Sequence, residues 1–458
     1  MKVLFVASEA VPYAKTGGLA DVVGALPQAL NELGVETTVL MPKYKGITAV
    51  PERKITLKMK SPHTYRISRN DNFLFVDYPP YYERSGLYGD EKGDYHDNCE
   101  RFTLFCLAAL KVAQDGNFDI IHCHDWQSGL VPLYLKHVQA TAKSIFTVHN
   151  LGYQGKFPKS KFPLLGLDNK YLSPDALEFY GDISFLKAGL VFADKVTTVS
   201  KTYATEIQST ELGFGLDGVL RARARDLHGI INGIDYEKWD PGLDDLIYQK
   251  YVDFGGKQKN KTELCTNCCL DPALPLIGMV SRIAGQKGFD ILMAAIDGII
   301  ELGYSMIILG FGDEAYHKKL TKLSEVYHGK LSVNVKFDNR LAHRIYAGSD
   351  FFLMPSLYEP CGLGQLISLR YGTVPIVRKT GGLADTVIEF DQNAGRGNGF
   401  LFVDYTGEAL LGALRRARIV FSQDELFKVL SENCMRYNYS WQESARQYRQ
   451  LYESVRNP

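Results

Sequence analysis

Long apolar runs are missing from this chain. No uninterrupted stretch approaches the roughly 18 residues that a membrane-spanning helix needs, so no membrane partner is expected. The apolar segment after Lys2 stops at Glu9 with no small-residue cleavage pattern behind it, which reads as a first strand and not as a secretion leader. Neither sign of charge is in excess: 52 Lys+Arg face 52 Asp+Glu. A nucleic-acid partner, which calls for a basic surplus, is therefore not expected, and any anion site must be local. Cysteine is sparse, eight in 458 residues and mostly in apolar contexts, which points to a reducing compartment and excludes a disulfide framework. Cys265, Cys268 and Cys269 form a cluster, but no second pair stands at a zinc-like spacing and the surroundings read as helix, so no metal is expected.

What is present is a repeat. Lys15-Thr16-Gly17-Gly18-Leu19-Ala20-Asp21 returns unchanged as Lys379-Thr380-Gly381-Gly382-Leu383-Ala384-Asp385. Each copy follows a short apolar run and precedes a helical stretch. A glycine pair at such a turn lets backbone N–H groups approach a ligand, and a helix start favours negative charge. Both copies are expected to grip an anionic or polyhydroxylated ligand.

Short valine- and isoleucine-rich runs alternate with amphipathic segments, the pattern of parallel sheets covered by helices on both faces. Strands are expected at 3–7, 37–41, 120–123, 144–148, 195–199 and 229–231, then at 276–281, 305–309, 332–337, 351–354, 373–377 and 399–403. This is an α/β chain of two doubly wound, Rossmann-like domains facing a deep cleft. Patterning lapses at Asp240-Pro241-Gly242, giving domains 1–240 and 241–436, with 437–458 as a terminal helix that crosses back to the first domain.

Polar residues gather where strands end. His122-Cys123-His124-Asp125-Trp126 closes one strand and His149-Asn150 closes the next. Alternation puts His122 and His124 on one face, so a metal pair is conceivable, but no third ligand is evident; Asp125 and His149 read as sugar-contacting groups. In the second half, Ser281-Arg282 ends a strand and Lys287 opens the next helix, so both cations can reach one phosphate. Gly310-Phe311-Gly312 offers a further close approach. Tyr358-Glu359-Pro360-Cys361-Gly362-Leu363 places a carboxylate, a natural acceptor for sugar hydroxyls, between strand and helix. Cys361 has no evident base, and a structural or positional role is favoured for it over that of a nucleophile.

Together these residues, with Asn232-Gly233-Ile234-Asp235, resemble those of the bacterial glycogen synthases and plant starch synthases, retaining glycosyltransferases of the GT-B fold. The resemblance runs from Lys2 to the terminal helix. It implies transfer of glucose from ADP-glucose to the nonreducing end of an α-1,4-glucan, without a cofactor or metal, in the cytoplasm of a bacterium or the plastid of a plant or alga. It also implies that Arg282 and Lys287 neutralise the departing diphosphate beside Ser281, and that Lys15, Gly17 and Gly18 lie against phosphates and sugar. Glu359 would hold glucose hydroxyls, and the His149 backbone would face the anomeric carbon. Asp21, Tyr88, Asp125, Asn150 and Asn232 match further substrate positions, as do Gly312, Cys361, Gly362, Leu363, Thr380, Gly381 and Gly382. Three positions depart from the family pattern: Leu357 for arginine, Gly364 for threonine or asparagine, and Phe337 for a tyrosine near the base. Rival readings are another retaining GT-B enzyme using UDP-glucose or making a small glucoside, a noncatalytic glucan-binding or regulatory protein, and a nicotinamide oxidoreductase; the last lacks a clean Gly-x-Gly-x-x-Gly.

Overall fold

The computed structural model describes residues 1–58 and 62–456, which divide into two compact units. The first comprises Met1–Asn232 with the terminal segment from Trp441; the second is Gly233–Ser440. Asp240-Pro241-Gly242 therefore lies inside the second unit.

In the first unit a nine-stranded sheet runs, from one edge to the other, Leu227–Gly229, Lys195–Thr198, Lys143–Val148, Ile120–His124, Lys2–Val6, Glu36–Pro42, Phe73–Asp77, Pro62–Asn70 and Val50–Lys58. The first seven are mutually parallel, and the last two join antiparallel. The central strands are apolar because both faces are covered: Val3, Leu4, Phe5 and Val6 are all fully buried. The antiparallel edge escapes the apolar-run criterion, since Glu52, Arg53 and Lys54 are exposed on its outer strand. The strand expected at 229–231 instead occupies Leu227–Gly229, where Val196 pairs with Leu227 and fixes the register.

The second unit is an all-parallel six-stranded sheet, in order Leu331–Val335, Ser305–Gly310, Leu276–Val280, Phe351–Met354, Val374–Arg378 and Phe400–Phe402. Counted along the chain this is the doubly wound order 3-2-1-4-5-6. The first unit repeats it around Lys2–Val6, with Glu36–Pro42 on one side and Ile120–His124 on the other. Each unit thus has a switch point beyond the carboxyl ends of its first and fourth strands, where such sheets bind ligands.

The helix Trp441–Arg456 packs on the first unit, burying Trp441, Ala445, Tyr448, Leu451, Tyr452 and Val455 at helical spacing. Among the described residues no helix is long and apolar enough to cross a membrane.

Candidate functional site

The first unit's switch point is organised by a buried carboxylate. Glu9, three residues after the first strand ends at Val6, is 4% exposed. It accepts hydrogen bonds from the Thr16 amide, the Thr16 hydroxyl (2.6 Å), the Gly17 amide (3.3 Å) and the Tyr88 hydroxyl (2.6 Å). The amides of Thr16 and Gly17 are therefore engaged by an internal anion. Charge-assisted bonds of this kind are shorter and stronger than neutral ones, so the loop is held in shape by the protein itself. The helix Gly18–Glu32 begins at the second glycine, with Gly17 extended at φ −150° and open space where a Cβ would stand. Lys15 reaches forward to both carboxylate oxygens of Asp21 at 2.7 Å, and its side chain is 46% exposed.

Across the switch point, Asp125 adopts φ +55° at the end of Ile120–His124. That backbone turns its carboxylate toward the next strand end, where it accepts the His149 N–H at 2.8 Å. Desolvation pushes the Asp125 carboxyl up to about 7 against the opposing backbone N–H groups of His149 and Asn150, and the Glu9 charge adds to the rise. Trp126 packs edge-on to Phe102 at 4.8 Å, and Gly155, at φ +56°, lies so close that a Cβ would stand 2.4 Å from the indole.

Three histidines line the strand ends. His122 lies between the Tyr452 hydroxyl (2.7 Å) and the Thr147 hydroxyl (2.6 Å), and His124 Nδ1 stands 3.0 Å from His149 Nε2. Burial lowers all three, His122 and His149 to about 3, so they are neutral imidazoles near pH 7. His122 and His124 share a face as alternation requires, their rings 4.2 Å apart. Among the described residues no group of three or more His, Cys, Asp or Glu side chains could hold a metal ion. Asn150 accepts the Gly152 N–H, and the Asn232 side-chain oxygen is buried with no partner among the described residues.

In the second unit, Arg282 follows Leu276–Val280 and is exposed, its side chain making no hydrogen bond or ion pair among the described residues. Neighbouring Ser281 donates to the Arg282 carbonyl at 3.1 Å. Lys287 ends the short turn Gly285–Lys287 and pairs with Glu359 at 2.6 Å. Glu359 also accepts the Ser356 hydroxyl at 3.0 Å. The two cations differ in their partners: Lys287 is paired with a carboxylate, while the Arg282 side chain has no ion pair among the described residues. The two turns are tied together because Gln286 donates to the Tyr358 carbonyl (3.2 Å) and accepts the Leu357 N–H (2.9 Å) through its backbone. Gly288, at φ +77°, permits this approach; a Cβ there would stand 2.0 Å from the Pro355 carbonyl oxygen.

The second glycine pair packs closely on a neighbouring loop of the protein. The helix here is only Gly381–Thr386, beginning at the first glycine, with buried Thr380 before it. A Cβ on Gly381 would lie 1.9 Å from the Glu359 carbonyl oxygen, and one on Gly382 would lie 2.1 Å from that of Cys361. The Gly382 N–H donates to the Glu359 and Pro360 carbonyls at 3.1 Å each. This pair therefore clamps the Glu359–Cys361 loop by backbone-on-backbone contact. Gln365 holds the far side of that loop, donating to the carbonyls of Cys361 and Gly362 at 2.9 Å each, as Leu363 leads into the helix Gly364–Arg370. Cys361 is buried. Gly312 likewise answers to the protein: a Cβ would meet the Ile283 carbonyl oxygen at 2.1 Å. Phe337 is 94% exposed beyond Leu331–Val335.

Glu9 and Ser356 were not singled out from sequence. An acid shortly after an apolar strand was the available signal for Glu9; Ser356 carried none.

Two doubly wound units with these groups at their switch points match known families along most of the chain. A model described as the starch synthase catalytic domain matches residues 2–222, and one described as glycosyl transferases group 1 matches 270–425. The fold is that of a glycosyltransferase with two Rossmann-like units, the GT-B class. A glycogen synthase of Koribacter versatilis is 45% identical over 478 residues, covering 100% of this chain and 98% of the relative. One of Geotalea uraniireducens is 45% identical, covering 99% and 98%. Among solved structures, the catalytic domain of starch synthase IV from Arabidopsis thaliana, bound to ADP and acarbose, is 32% identical with TM-score 0.89, covering 100% of this chain and 99% of that one. Sucrose-phosphate synthase from Thermosynechococcus elongatus, 19% identical with TM-score 0.65 over 99% and 98%, shares the fold. The chain belongs to the glycogen synthase family.

Proposed function

We propose that this protein is a glycogen synthase that transfers glucose from ADP-glucose to the nonreducing end of an α-1,4-glucan, with retention of configuration. The single observation that carries this reading is the second unit's switch point. There a buried carboxylate, Glu359, is held by Lys287 and Ser356 while exposed Arg282 has no counter-charge among the described residues. A sugar nucleotide supplies what this arrangement lacks, hydroxyls for Glu359 and a diphosphate for Arg282 and Lys287. Fixed cations placed where negative charge develops on a leaving group are the economical way to lower such a barrier.

In this reading Ser281, Gly312, Phe337, Cys361, Gly362, Leu363, Thr380, Gly381 and Gly382 form the nucleotide-sugar side, domain 241–436. The acceptor side, domain 1–240 closed by 437–458, contributes Lys15, Gly17, Gly18, Asp21, Tyr88, Asp125, His149, Asn150 and Asn232. Lys15 adds charge toward the phosphates, and the His149 backbone carbonyl stabilises positive charge at the anomeric carbon. Gly381 and Gly382 act by fixing the Glu359 loop, as their close backbone contacts with it support.

The test is glycogen-dependent release of nucleoside diphosphate, measured in parallel with ADP-glucose and UDP-glucose. Faster turnover with ADP-glucose is expected. Preference for UDP-glucose would overturn the donor, and no turnover with either would overturn the enzyme reading.

A further inference from the structure

The pair His124 and His149 leaves a proton to be assigned. Both rings are neutral near pH 7, so each carries one N–H, and their 3.0 Å contact needs one donor and one acceptor. If His149 Nε2 donates, His124 must carry its proton on Nε2. That atom is buried with no partner among the described residues, in a fully buried side chain stacked on Phe5 at 5.4 Å. A buried N–H would be orphaned, which native structures tolerate less readily than an unused acceptor. If His124 Nδ1 donates instead, only a lone pair is left unused. His149 is then protonated on Nδ1, an atom with no partner among the described residues on a side chain that is only partly buried.

We propose that His124 is a positioning residue that fixes His149 as the Nδ1–H tautomer, so that the imidazole presents a hydrogen-bond donor to a sugar hydroxyl oxygen. The geometry supports it on both sides: the His149 backbone is pinned by Asp125 at 2.8 Å, and the far ring nitrogen by His124 at 3.0 Å. With its backbone and one ring edge held, the ring has one polar atom left to offer. Proton placement at that atom then depends on a residue that touches no ligand. The tautomer assignment stands on the geometry and on the neutrality that burial imposes on both rings; its consequence for turnover rests on the functional reading above.

Selective ¹⁵N labelling of the ten histidines, with the His149 signals identified by their loss in His149→Gln, reads the tautomer of the whole wild-type protein directly. A protonated Nδ1 and an unprotonated Nε2 are expected at pH 7. A protonated Nε2 on His149 overturns the proposal, whatever the activity. His124→Phe removes the donor, whereas His124→Asn keeps an N–H on the atom that replaces Nδ1. The expected result is a kcat loss of roughly tenfold in His124→Phe, the scale of one hydrogen bond, with His124→Asn recovering most of it. Equal losses in the two variants would overturn the positioning role. Should His124→Phe not fold, the wild-type spectrum still decides. An enzyme inactive with every sugar nucleotide but showing the Nδ1–H signature would refute the functional reading and leave the tautomer assignment standing.

Discussion

The same seven residues occur twice, yet alanine at corresponding positions should have opposite effects. At Gly17 an added Cβ meets nothing within 4 Å and the backbone is extended, so Gly17→Ala should change stability by no more than about 0.5 kcal/mol. At Gly381 the backbone sits at φ +44°, which costs a residue bearing a Cβ roughly 1–2 kcal/mol. The added atom would also lie 1.9 Å from the Glu359 carbonyl oxygen, so one loop must move. Losing the bonds from Gly382 to the Glu359 and Pro360 carbonyls removes about 0.5–1.5 kcal/mol more. The sum is roughly 1.5–3.5 kcal/mol, or a fall of on the order of 3–14 °C in the unfolding temperature of a unit this size. Scanning calorimetry on the two variants, with the ADP-glucose KM measured beside it, separates the roles. Gly17→Ala should keep its melting temperature and raise KM, because open space there is space for substrate. Gly381→Ala should lose both stability and turnover. Indistinguishable melting temperatures would refute the claim that the second glycine pair is a clamp.

Further outcomes follow from individual contacts. Arg282→Ala should leave the melting temperature unchanged and weaken turnover with ADP-glucose, as steady-state kinetics beside thermal melts would show, since the side chain is exposed and makes no hydrogen bond or ion pair among the described residues. Lys287→Ala should lower kcat by roughly 10²–10³-fold, and initial rates at saturating donor check this; an unchanged kcat would remove Lys287 from the leaving-group role. Burial lowers the Lys257 ammonium to about 7 among the carbonyls of Tyr346, Ala347 and Tyr371. Its folded form therefore binds fewer protons than the unfolded chain above that pH, so this group's stability contribution should grow from pH 7 toward 10. Denaturation midpoints across that range should show the slope, and Lys257→Met should abolish it. Gly155→Ala should destabilise the first unit by about 2 kcal/mol or more, seen as a lower urea midpoint, because φ +56° and the Trp126 ring both oppose a side chain.

The buried strands were legible because they are covered on both faces: Phe351–Met354 reads as four apolar residues and forms the strand with those limits. The hairpin Val50–Lys58 with Pro62–Asn70 was not, since its charged outer strand lacks the apolar run that marks a buried one. At the site, residue types were legible but their commitments were not. Glu359, Arg282 and Lys287 could be named from spacing; that Lys287 binds Glu359 while Arg282 has no ion pair among the described residues depends on how two turns meet. The repeated heptad is the sharpest case. Identical residues gave identical expectations, but Gly17 faces open space and Gly381 faces a carbonyl, a difference set by neighbours far along the chain. Glu9 was hidden for the same reason, its partners Thr16, Gly17 and Tyr88 being assembled only by folding.

The terminal helix has a consequence for how the molecule is made. The first unit begins emerging from the ribosome at once, but its Tyr452 hydroxyl, which caps His122, arrives only after the whole of Gly233–Ser440 has been synthesised. At 5–20 residues per second that delay is roughly 10–40 s. Through it, the groove that will receive Trp441, Tyr448 and Leu451 is bare apolar surface, so the portion translated earliest is the last to be sealed.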